Sequence, residues 1–424
     1  MLEKKFLNWL KSANDFSKPK VILIDIKKLK KWNFTERTIN HESNRFFNFK
    51  YYKVLSKIGN ISKLFYSPFI VQQEVGILGI LIKRFKNEYK YLLQAKFEPG
   101  NINKIQISPT LQATKSNYNK VHKGKQTDFV DFFLNSINKR NYIFNKKLPE
   151  QGTRYINKYN HNIIIESKSN NIKVPKNFLW VTKKEIKELL KKNNLLNMDT
   201  LSVLSCIVKK EPNVVSHNKK IEINNKISVF DKLHNQKINL TNLTNLKGWK
   251  YHNKKIINLN KEYFSIIGIR TVTNSREIKS WDQPIIREYH NGIVGFIVKK
   301  LNNSLHYYMQ IVKEPGYKKP LLTGTICVKN FGIKNYKNNF FINILKQKKK
   351  SKILFNKTLS EEGGRFFHKQ NQNLIIEIKN QINIAEKKNF IWLSHNQMVD
   401  LIRKGTISIE ARNLFLSFNV EKIL

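Results

Sequence analysis

Pro68-Phe-Ile-Val-Gln-Gln-Glu-Val-Gly76-Ile-Leu-Gly79 returns later in the chain as Pro284-Ile-Ile-Arg-Glu-Tyr-His-Asn-Gly292-Ile-Val-Gly295, with the proline, both glycines and the apolar pattern in the same places. Gln94-Ala-Lys-Phe-Glu98-Pro99-Gly100 returns as Gln310-Ile-Val-Lys-Glu314-Pro315-Gly316 at the same separation, so the register does not slip. Further on, Glu150-Gln-Gly152-Thr-Arg154-Tyr has its counterpart in Glu361-Glu-Gly363-Gly-Arg365-Phe, and Asn162-Ile-Ile-Ile-Glu166 in Asn373-Leu-Ile-Ile-Glu377. Each copy then closes with Phe-Leu-Trp180 or Phe-Ile-Trp392 and an amphipathic stretch. Self-similarity in this order is the signature of a duplicated structural unit.

Within a copy the periodicities predict a mixed α/β (α+β) unit. Alternation and β-forming residues predict strands over 91–97, 305–311, 163–165 and 374–376, and apolar spacing predicts helices over 182–192 and 394–403. Leu2, Phe6, Trp9, Leu10 and Ala13 form one stripe of an N-terminal packing helix. The expected organisation is an N-terminal helical segment over 1–40, a first repeat over 41–206, a polar Lys- and Asn-rich linker over 207–258 and a second repeat over 259–424. A chain of 424 residues is long enough for cores of this kind, and 40% of it is hydrophobic.

Lys and Arg number 78 against 30 Asp and Glu, a net charge of +48. The positive charge is spread along the chain with Asn and Ile rather than gathered on a motif, and no zinc-finger spacing or RNP1-like aromatic pattern accompanies it. A specific nucleic-acid partner is therefore not expected, although nonspecific attraction to polyanions is. Cys206 and Cys327 stand alone, which argues against a disulfide framework or a structural zinc site. No apolar stretch approaches the roughly 20 residues that span a membrane. The N-terminus is charged from position 3 and carries no signal-like segment, so the expected location is cytoplasmic.

His41-Glu-Ser-Asn-Arg45-Phe-Phe, Leu93-Gln-Ala-Lys-Phe-Glu-Pro-Gly-Asn101, Ser108-Pro-Thr-Leu-Gln-Ala-Thr-Lys-Ser-Asn-Tyr118, and Asn197-Met-Asp199 followed by Val203-Leu-Ser-Cys206 closely resemble the NDP-hexose 2,3-dehydratases, from about residue 30 to the C-terminus. The resemblance implies two tandem Nudix-like domains, a homodimer, and a substrate, dTDP-4-keto-6-deoxy-D-glucose, handled without a metal or redox cofactor. It also implies a labile diketone product and hence functional coupling to a 3-ketoreductase. A Nudix-like fold raises hydrolysis of a nucleoside diphosphate as a rival. That chemistry needs a carboxylate-bearing metal helix, and the nearest fragments, Pro149-Glu-Gln-Gly and Ser360-Glu-Glu-Gly-Gly, lack its Arg-Glu half. A noncatalytic nucleotide- or polyanion-binding protein on the same fold is the other alternative.

Period-2 geometry puts Gln94, Lys96 and Glu98 on one face of a strand that Pro99 terminates, with Glu98 expected at the lip of a cleft. A carboxylate beside an ammonium suits a base that takes the C3 proton and a stabiliser of the enolate oxygen. A surface ion pair of little consequence is the plainer reading of the same spacing. In the second copy Lys96 becomes Val312, Gln112 falls opposite Cys327, and Glu262-Tyr-Phe replaces the His41 to Arg45 motif, so catalysis is assigned to the first copy and a structural or degenerate role to the second. His41 is a candidate base or substrate ligand, or a satisfied structural histidine. Tyr118 is a candidate proton donor, or a packed tyrosine with a tethered hydroxyl. Arg45 and Arg154 are candidate phosphate forks, yet Arg154 has a counterpart in Arg365, which suits a fold-supporting ion pair equally. Asn101, Gln112, Thr114, Ser116 and Asn117 offer neutral hydrogen bonds to base, ribose and sugar hydroxyls. Asn197-Met-Asp199 is either a helix cap or a ligand.

Overall fold

The computed structural model describes every residue except 1, 116–126, 137–141, 170, 277, 329–339, 347–350, 380, 381, 383 and 385, so Ser116, Asn117 and Tyr118 lie outside the described residues. The first copy comprises α1 (Leu2–Ser17), β1 (Lys20–Ile24), β2 (Trp32–Phe34), β3 (Thr38–His41), β4 (Asn48–Ile58), β5 (Ile61–Val71), β6 (Gly76–Phe85), β7 (Glu88–Phe97), β8 (Ile105–Ser108), β9 (Leu111–Ala113), α2 (Val130–Ser136), β10 (Tyr142–Pro149), β11 (Tyr159–Glu166), β12 (Phe178–Thr182), α3 (Lys183–Leu190) and α4 (Met198–Ser205). The second repeats this order as α5 (Lys220–Leu233), β13 (His234–Thr241), β14 (Trp249–His252), β15 (Lys255–Asn258), β16 (Phe264–Val272), β17 (Ser280–Glu288), β18 (Gly292–Leu301), β19 (Ser304–Val312), β20 (Leu321–Thr323), β21 (Ile326–Val328), α6 (Phe340–Lys346), β22 (Ser351–Ser360), β23 (Gln370–Ile378), β24 (Phe390–Ser394), α7 (His395–Lys404) and α8 (Ile409–Asn419).

The duplication thus begins at the N-terminal helix. Residues 207–258, expected as a linker, carry α5, β13, β14 and β15, the counterparts of α1, β1, β2 and β3. They read as polar because they bury little: α5 buries only Ile223, and β13 is an edge strand whose side chains are mostly exposed beyond His234. The leading strands are exchanged. β13 pairs antiparallel with β4 of the first copy, with Lys237 opposite Leu55, and β1 pairs antiparallel with β16 of the second, with Ile22 opposite Arg270. Each copy therefore completes the other's first sheet.

The two larger sheets run β10-β11-β6-β7-β12, with β8 on β7 and β9 on β6, and β22-β23-β18-β19-β24, with β20 on β19 and β21 on β18. Only β11 with β6 and β23 with β18 are parallel within them. A strand hydrogen-bonded on both sides and covered on both faces reads as a continuous apolar run, which is why Gly76-Ile-Leu-Gly-Ile-Leu-Ile82 is buried throughout. Thr182 and Ser394 start α3 and α7 with capping boxes, satisfying amides that a bare helix end leaves unpaired. One core passes through both copies, joining Ile80, Tyr91, Phe97 and Leu204 to Phe296, Tyr307, Leu393 and Phe415. Phe6 and Leu10 of α1 enter the same core, as the N-terminal stripe predicts. Full burial of side chains of this size contributes about 1.5–3 kcal/mol each. No helix among the described residues is long and apolar enough to cross a membrane.

The two Glu-Pro-Gly turns join the copies reciprocally. Gly100 N donates to Gly363 O at 2.7 Å and accepts at its carbonyl from His368 N at 2.7 Å, while Gly316 N donates to Gly152 O at 2.7 Å and its carbonyl accepts from Asn157 N at 3.0 Å. A Cβ on Gly100 would stand 1.9 Å from Phe366 O, and one on Gly316 1.9 Å from Tyr155 O. Backbone approach this close admits only glycine.

Candidate active site

Along β7, Ala95 and Phe97 point into the shared core, so Lys96 and the residue that follows the strand, Glu98, emerge on the opposite side. There they meet β9 and the start of α4. Lys96 Nζ stands 3.7 Å from Glu98 Oε1, donates to Gln112 Oε1 at 3.0 Å and to Gln112 O at 3.1 Å. The Gln112 amide in turn donates to Glu98 Oε1 at 3.1 Å and to Asp199 Oδ2. Asn197 links the group to α4: its Oδ1 accepts from Thr200 N at 2.8 Å, and its Nδ2 donates to Ser108 Oγ at 2.9 Å and Gln112 Oε1 at 3.3 Å. Asn197 is thus both a helix cap and part of this network.

Glu98 is not at the lip of a cleft and its pair with Lys96 is not a surface pair. The residues are 5% and 8% exposed, because the 361–368 loop of the second copy lies over the Pro99-Gly100 turn. Glu98 Oε2 is buried without a hydrogen-bond partner among the described residues. A buried carboxylate oxygen left unsatisfied is costly unless a ligand or a proton transfer uses it.

The covering loop brings Glu362 to the same place. Its Oε2 accepts from the Tyr155 hydroxyl at 2.8 Å. A Cβ on Gly364 would lie 3.0 Å from Glu362 Oε1 and 3.6 Å from Glu98 Oε1, so the two carboxylates flank one point that the absence of a side chain keeps clear. Arg365 stacks on the Phe47 ring at 3.8 Å. Behind them Glu150 accepts from Asn160 Nδ2 at 2.8 Å. Burial disfavours charge throughout this patch. It pushes Glu150 up to about 7, and it raises Glu362, with the Glu98 charge adding to the rise. Asp199 is raised well above the carboxylate range by burial and then by Glu362, Glu150 and Glu98, while burial lowers Lys158 to about 8.

The remaining predicted residues disperse. Gln94 is half-buried on β7 opposite Ser108 and Phe178, and Thr114 is half-buried just past β9. Asn101 is 2% exposed, donates to Lys104 O at 3.2 Å, and presses its Oδ1 against Gly363, so it holds the turn. The Arg154 fork is occupied by Glu288 at 2.8 and 2.9 Å, lies over the Phe264 ring, and shares that carboxylate with Lys369 at 2.6 Å. The Arg154 side chain thus forms a buried ion pair between the two copies. His41 ends β3 of the smaller sheet built on β4, and Arg45 lies in the connection between β3 and β4. The His41 ring packs edge-on against Trp32 and Phe46, places Nδ1 2.9 Å from Ser43 Oγ, and is lowered in pKa by burial. Arg45 is exposed. No hydrogen bond among the described residues joins either to Glu98. Glu362 and Tyr155 were not singled out from the sequence, although Glu362 and Gly364 already stood against Gln151 and Thr153 in the aligned copies, while Asp199 was named within the Asn197-Met-Asp199 turn as cap or ligand.

At the counterpart position of the second copy, Val312 and Cys327 line a cavity of about 330 Å³ with Gln310, Tyr308, Lys387 and Phe390. No three His, Cys, Asp or Glu side chains among the described residues converge where they could hold a metal ion.

Comparison with known proteins gives this geometry a context. The profile of the NDP-hexose 2,3-dehydratase family matches residues 3–207 and 222–418, one match per copy. A dTDP-4-dehydro-6-deoxy-alpha-D-glucopyranose 2,3-dehydratase of Saccharopolyspora spinosa is 30% identical over 93% of this chain and 87% of its own length. Enzymes of the same name from Streptomyces violaceoruber and Amycolatopsis orientalis are 30% and 29% identical, over 89% and 97% of this chain and 87% and 89% of theirs. Among solved structures, an Ap4A hydrolase of C. elegans matches 28% of this chain and 91% of its own at 14% identity and a TM-score of 0.20. An ADP compounds hydrolase matches 37% and 84% at 16% and 0.26. Likeness at that level carries no argument about fold or activity. The sequence matches run through both copies and through the residues around Glu98, and the chain belongs to the NDP-hexose 2,3-dehydratase family.

Proposed function

We propose that this protein removes water across C2 and C3 of dTDP-4-keto-6-deoxy-D-glucose to give a 3,4-diketo-2,6-dideoxysugar nucleotide, on two tandem Nudix-like repeats of which the first carries the chemistry. The observation that carries this reading is the family match through both copies, and the buried constellation at the end of β7 supports it. The C4 ketone acidifies the C3 hydrogen, and Glu98 is the base, with its unpartnered Oε2 the oxygen that receives the proton. Lys96 stabilises the enolate that forms, in a site where low dielectric strengthens its charge. Gln112, held by Lys96, Asn197 and Asp199, orients both. The elimination is redox-neutral, and Glu98 takes the proton that starts it.

The mixed sheet seen twice, each closed by a capped helix, supports the Nudix-like assignment. The second-copy cavity, with Val312 in place of Lys96 and Cys327 in place of Gln112, suits a degenerate nucleotide pocket. A homodimer, and a 3-ketoreductase that consumes the labile diketone, complete the proposal. Incubation with the purified 4-ketosugar nucleotide tests it. Loss of one water from the sugar, read by mass spectrometry after trapping with a ketoreductase, is expected. Unchanged substrate across pH and time would leave a noncatalytic nucleotide-binding protein, and release of a nucleoside monophosphate would make it a hydrolase.

A further inference from the structure

We propose that Glu362, delivered by the second repeat, is the acid that protonates the departing C2 hydroxyl, so that the active site is composite and the second repeat is part of it. The proposal rests on the dehydratase reading above and assigns a second reacting group within it.

The loop that carries Glu362 is fixed to the Glu98 turn by backbone bonds at both ends, Gly100 N to Gly363 O and His368 N to Gly100 O, each 2.7 Å. The two carboxylates therefore hold their relation without depending on flexible side chains alone. They approach one point from two directions, at the place where Gly364 has no Cβ. Their surroundings differ. Glu98 Oε1 faces the Lys96 ammonium and the Gln112 amide, as a carboxylate requires. Glu362 Oε2 takes the Tyr155 hydroxyl, which leaves Oε1, the oxygen turned toward Gly364, to carry a proton. Paired carboxylates in unlike surroundings are the arrangement in which one acts as base and its neighbour as acid.

The repeat supplies an internal comparison. The first-copy counterparts of Glu362 and Gly364 are Gln151, which has no acidic proton and donates its amide to Glu361 Oε2 and to Met198 Sδ at 3.3 Å, and Thr153, which carries a side chain where Gly364 has none. Lys96 against Val312, Gln112 against Cys327, and Glu362 with Gly364 against Gln151 with Thr153 come from three separate stretches of each copy, yet all fall at the two ends of the same pair of contacts. Differences due to unselected drift would not gather there.

In the step assigned, the C3–H bond breaks with its proton going to Glu98 and its electron pair forming the enolate. That pair then moves to form the C2–C3 double bond as the C2–O bond breaks, and the hydroxyl leaves as water with the proton of Glu362. The C3 enol so formed loses its hydroxyl proton and gains one at C2 to give the diketone. Proton exchange with solvent resets both carboxyls, and no oxidant or reductant is involved.

The test separates enolate formation from elimination, by running the purified chain with the 4-ketosugar nucleotide in deuterium oxide. Recovered substrate is read for deuterium at C3 and product for loss of the C2 hydroxyl. Glu362→Gln, which imitates Gln151, should retain deuterium wash-in at C3 while elimination falls by about 10² to 10⁴-fold. Glu98→Gln should lose both. Elimination by Glu362→Gln within about threefold of the unmodified chain, or loss of wash-in as complete as the loss of elimination at an unchanged melting temperature, overturns the assignment. If Glu362→Gln proves unstable, Gly364→Thr leaves both carboxylates and fills the point between them, and it should abolish both signals. Turnover by Gly364→Thr at the unmodified rate overturns the assignment too. An unmodified chain that neither exchanges C3 nor eliminates overturns the dehydratase reading itself.

Discussion

Replacing Lys96 by valine writes the second copy's residue into the first and isolates the charge on Glu98. The two side chains are only 9% and 6% exposed and 3.7 Å apart, so solvent screens them little. At an effective dielectric of about 20 their attraction is about 4 kcal/mol, and removing one partner of a buried pair typically costs about 3–5 kcal/mol. Gln112 Nε2 at 3.1 Å would be the one donor left to Glu98 Oε1 among the bonds described here. The core is shared by both copies, so the chain should unfold as one unit. With an unfolding entropy of about 2.1 cal/mol/K per residue, each kcal/mol then shifts the melting temperature by roughly 1 °C. Lys96→Val should therefore melt about 3–5 °C lower. Glu98→Gln alone should also destabilise, and the double variant should recover about 2–3 kcal/mol relative to the sum of the two, because no lone charge remains buried. Both single variants should lose about 10² to 10⁴-fold in single-turnover rate. Glu314→Gln, the second-copy counterpart, should stay within about threefold. Strictly additive melting shifts would show that Lys96 and Glu98 do not act on each other. Glu314→Gln as damaging as Glu98→Gln at equal stability would move the chemistry out of the first copy.

Arg154→Ala should lower stability by about 1.5–3 kcal/mol through the loss of its charge-assisted bonds to the buried Glu288, which Lys369 still neutralises, with the KM of folded enzyme unchanged; a raised KM without thermal effect would restore Arg154 as a substrate ligand. Gly100→Ala should cost about 3 kcal/mol or more, since its Cβ would collide with Phe366 O and part the Glu98 turn from Glu362, and a melting temperature equal to the unmodified chain's would show that the joint tolerates a side chain. Burial raises Glu150 from 4.5 to about 7, so between those values the folded chain holds a proton that the unfolded chain has released, and stability falls as pH rises through the window. Glu150→Gln removes that dependence. Its melting temperature relative to the unmodified chain should climb between pH 4.5 and 7 and level off on either side, and a constant difference would place the titration elsewhere.

The duplication was legible because the positions that define it cannot drift. Gly100 and Gly316 each sit against a carbonyl that excludes a Cβ, and Thr182 and Ser394 each cap a helix, so like residue types recur in the same order in both copies. The start of each copy was not legible. β13 is mostly polar and exposed, and β1, although it reads Lys20-Val-Ile-Leu-Ile24, shows no alternation and leaves most of that run exposed; both obtain their partner from the other copy. Strand exchange is a property of the assembled pair of repeats, and a local window of sequence carries no trace of which strand a segment will join.

Half of the proposed site was readable from β7 and β9, where alternation and the terminating Pro99 fix which side chains share a face. The other half closes over it from more than two hundred residues away in sequence, and periodicity says nothing about such closure. The comparison between copies nevertheless contained it. A buried amide or ammonium is costly unless it is hydrogen-bonded, so a copy that has no use for Lys96 and Gln112 is relieved by apolar or weakly polar residues of smaller size, which Val312 and Cys327 are. The same reasoning applies across the joint: Gln151 keeps the shape of Glu362 without its charge, and Thr153 occupies what Gly364 leaves clear. In a duplicated enzyme whose copies contact each other reciprocally, the positions that diverge on both sides of one contact and not the other locate the chemistry. By that criterion the two carboxylates belong to one site even though they belong to different repeats.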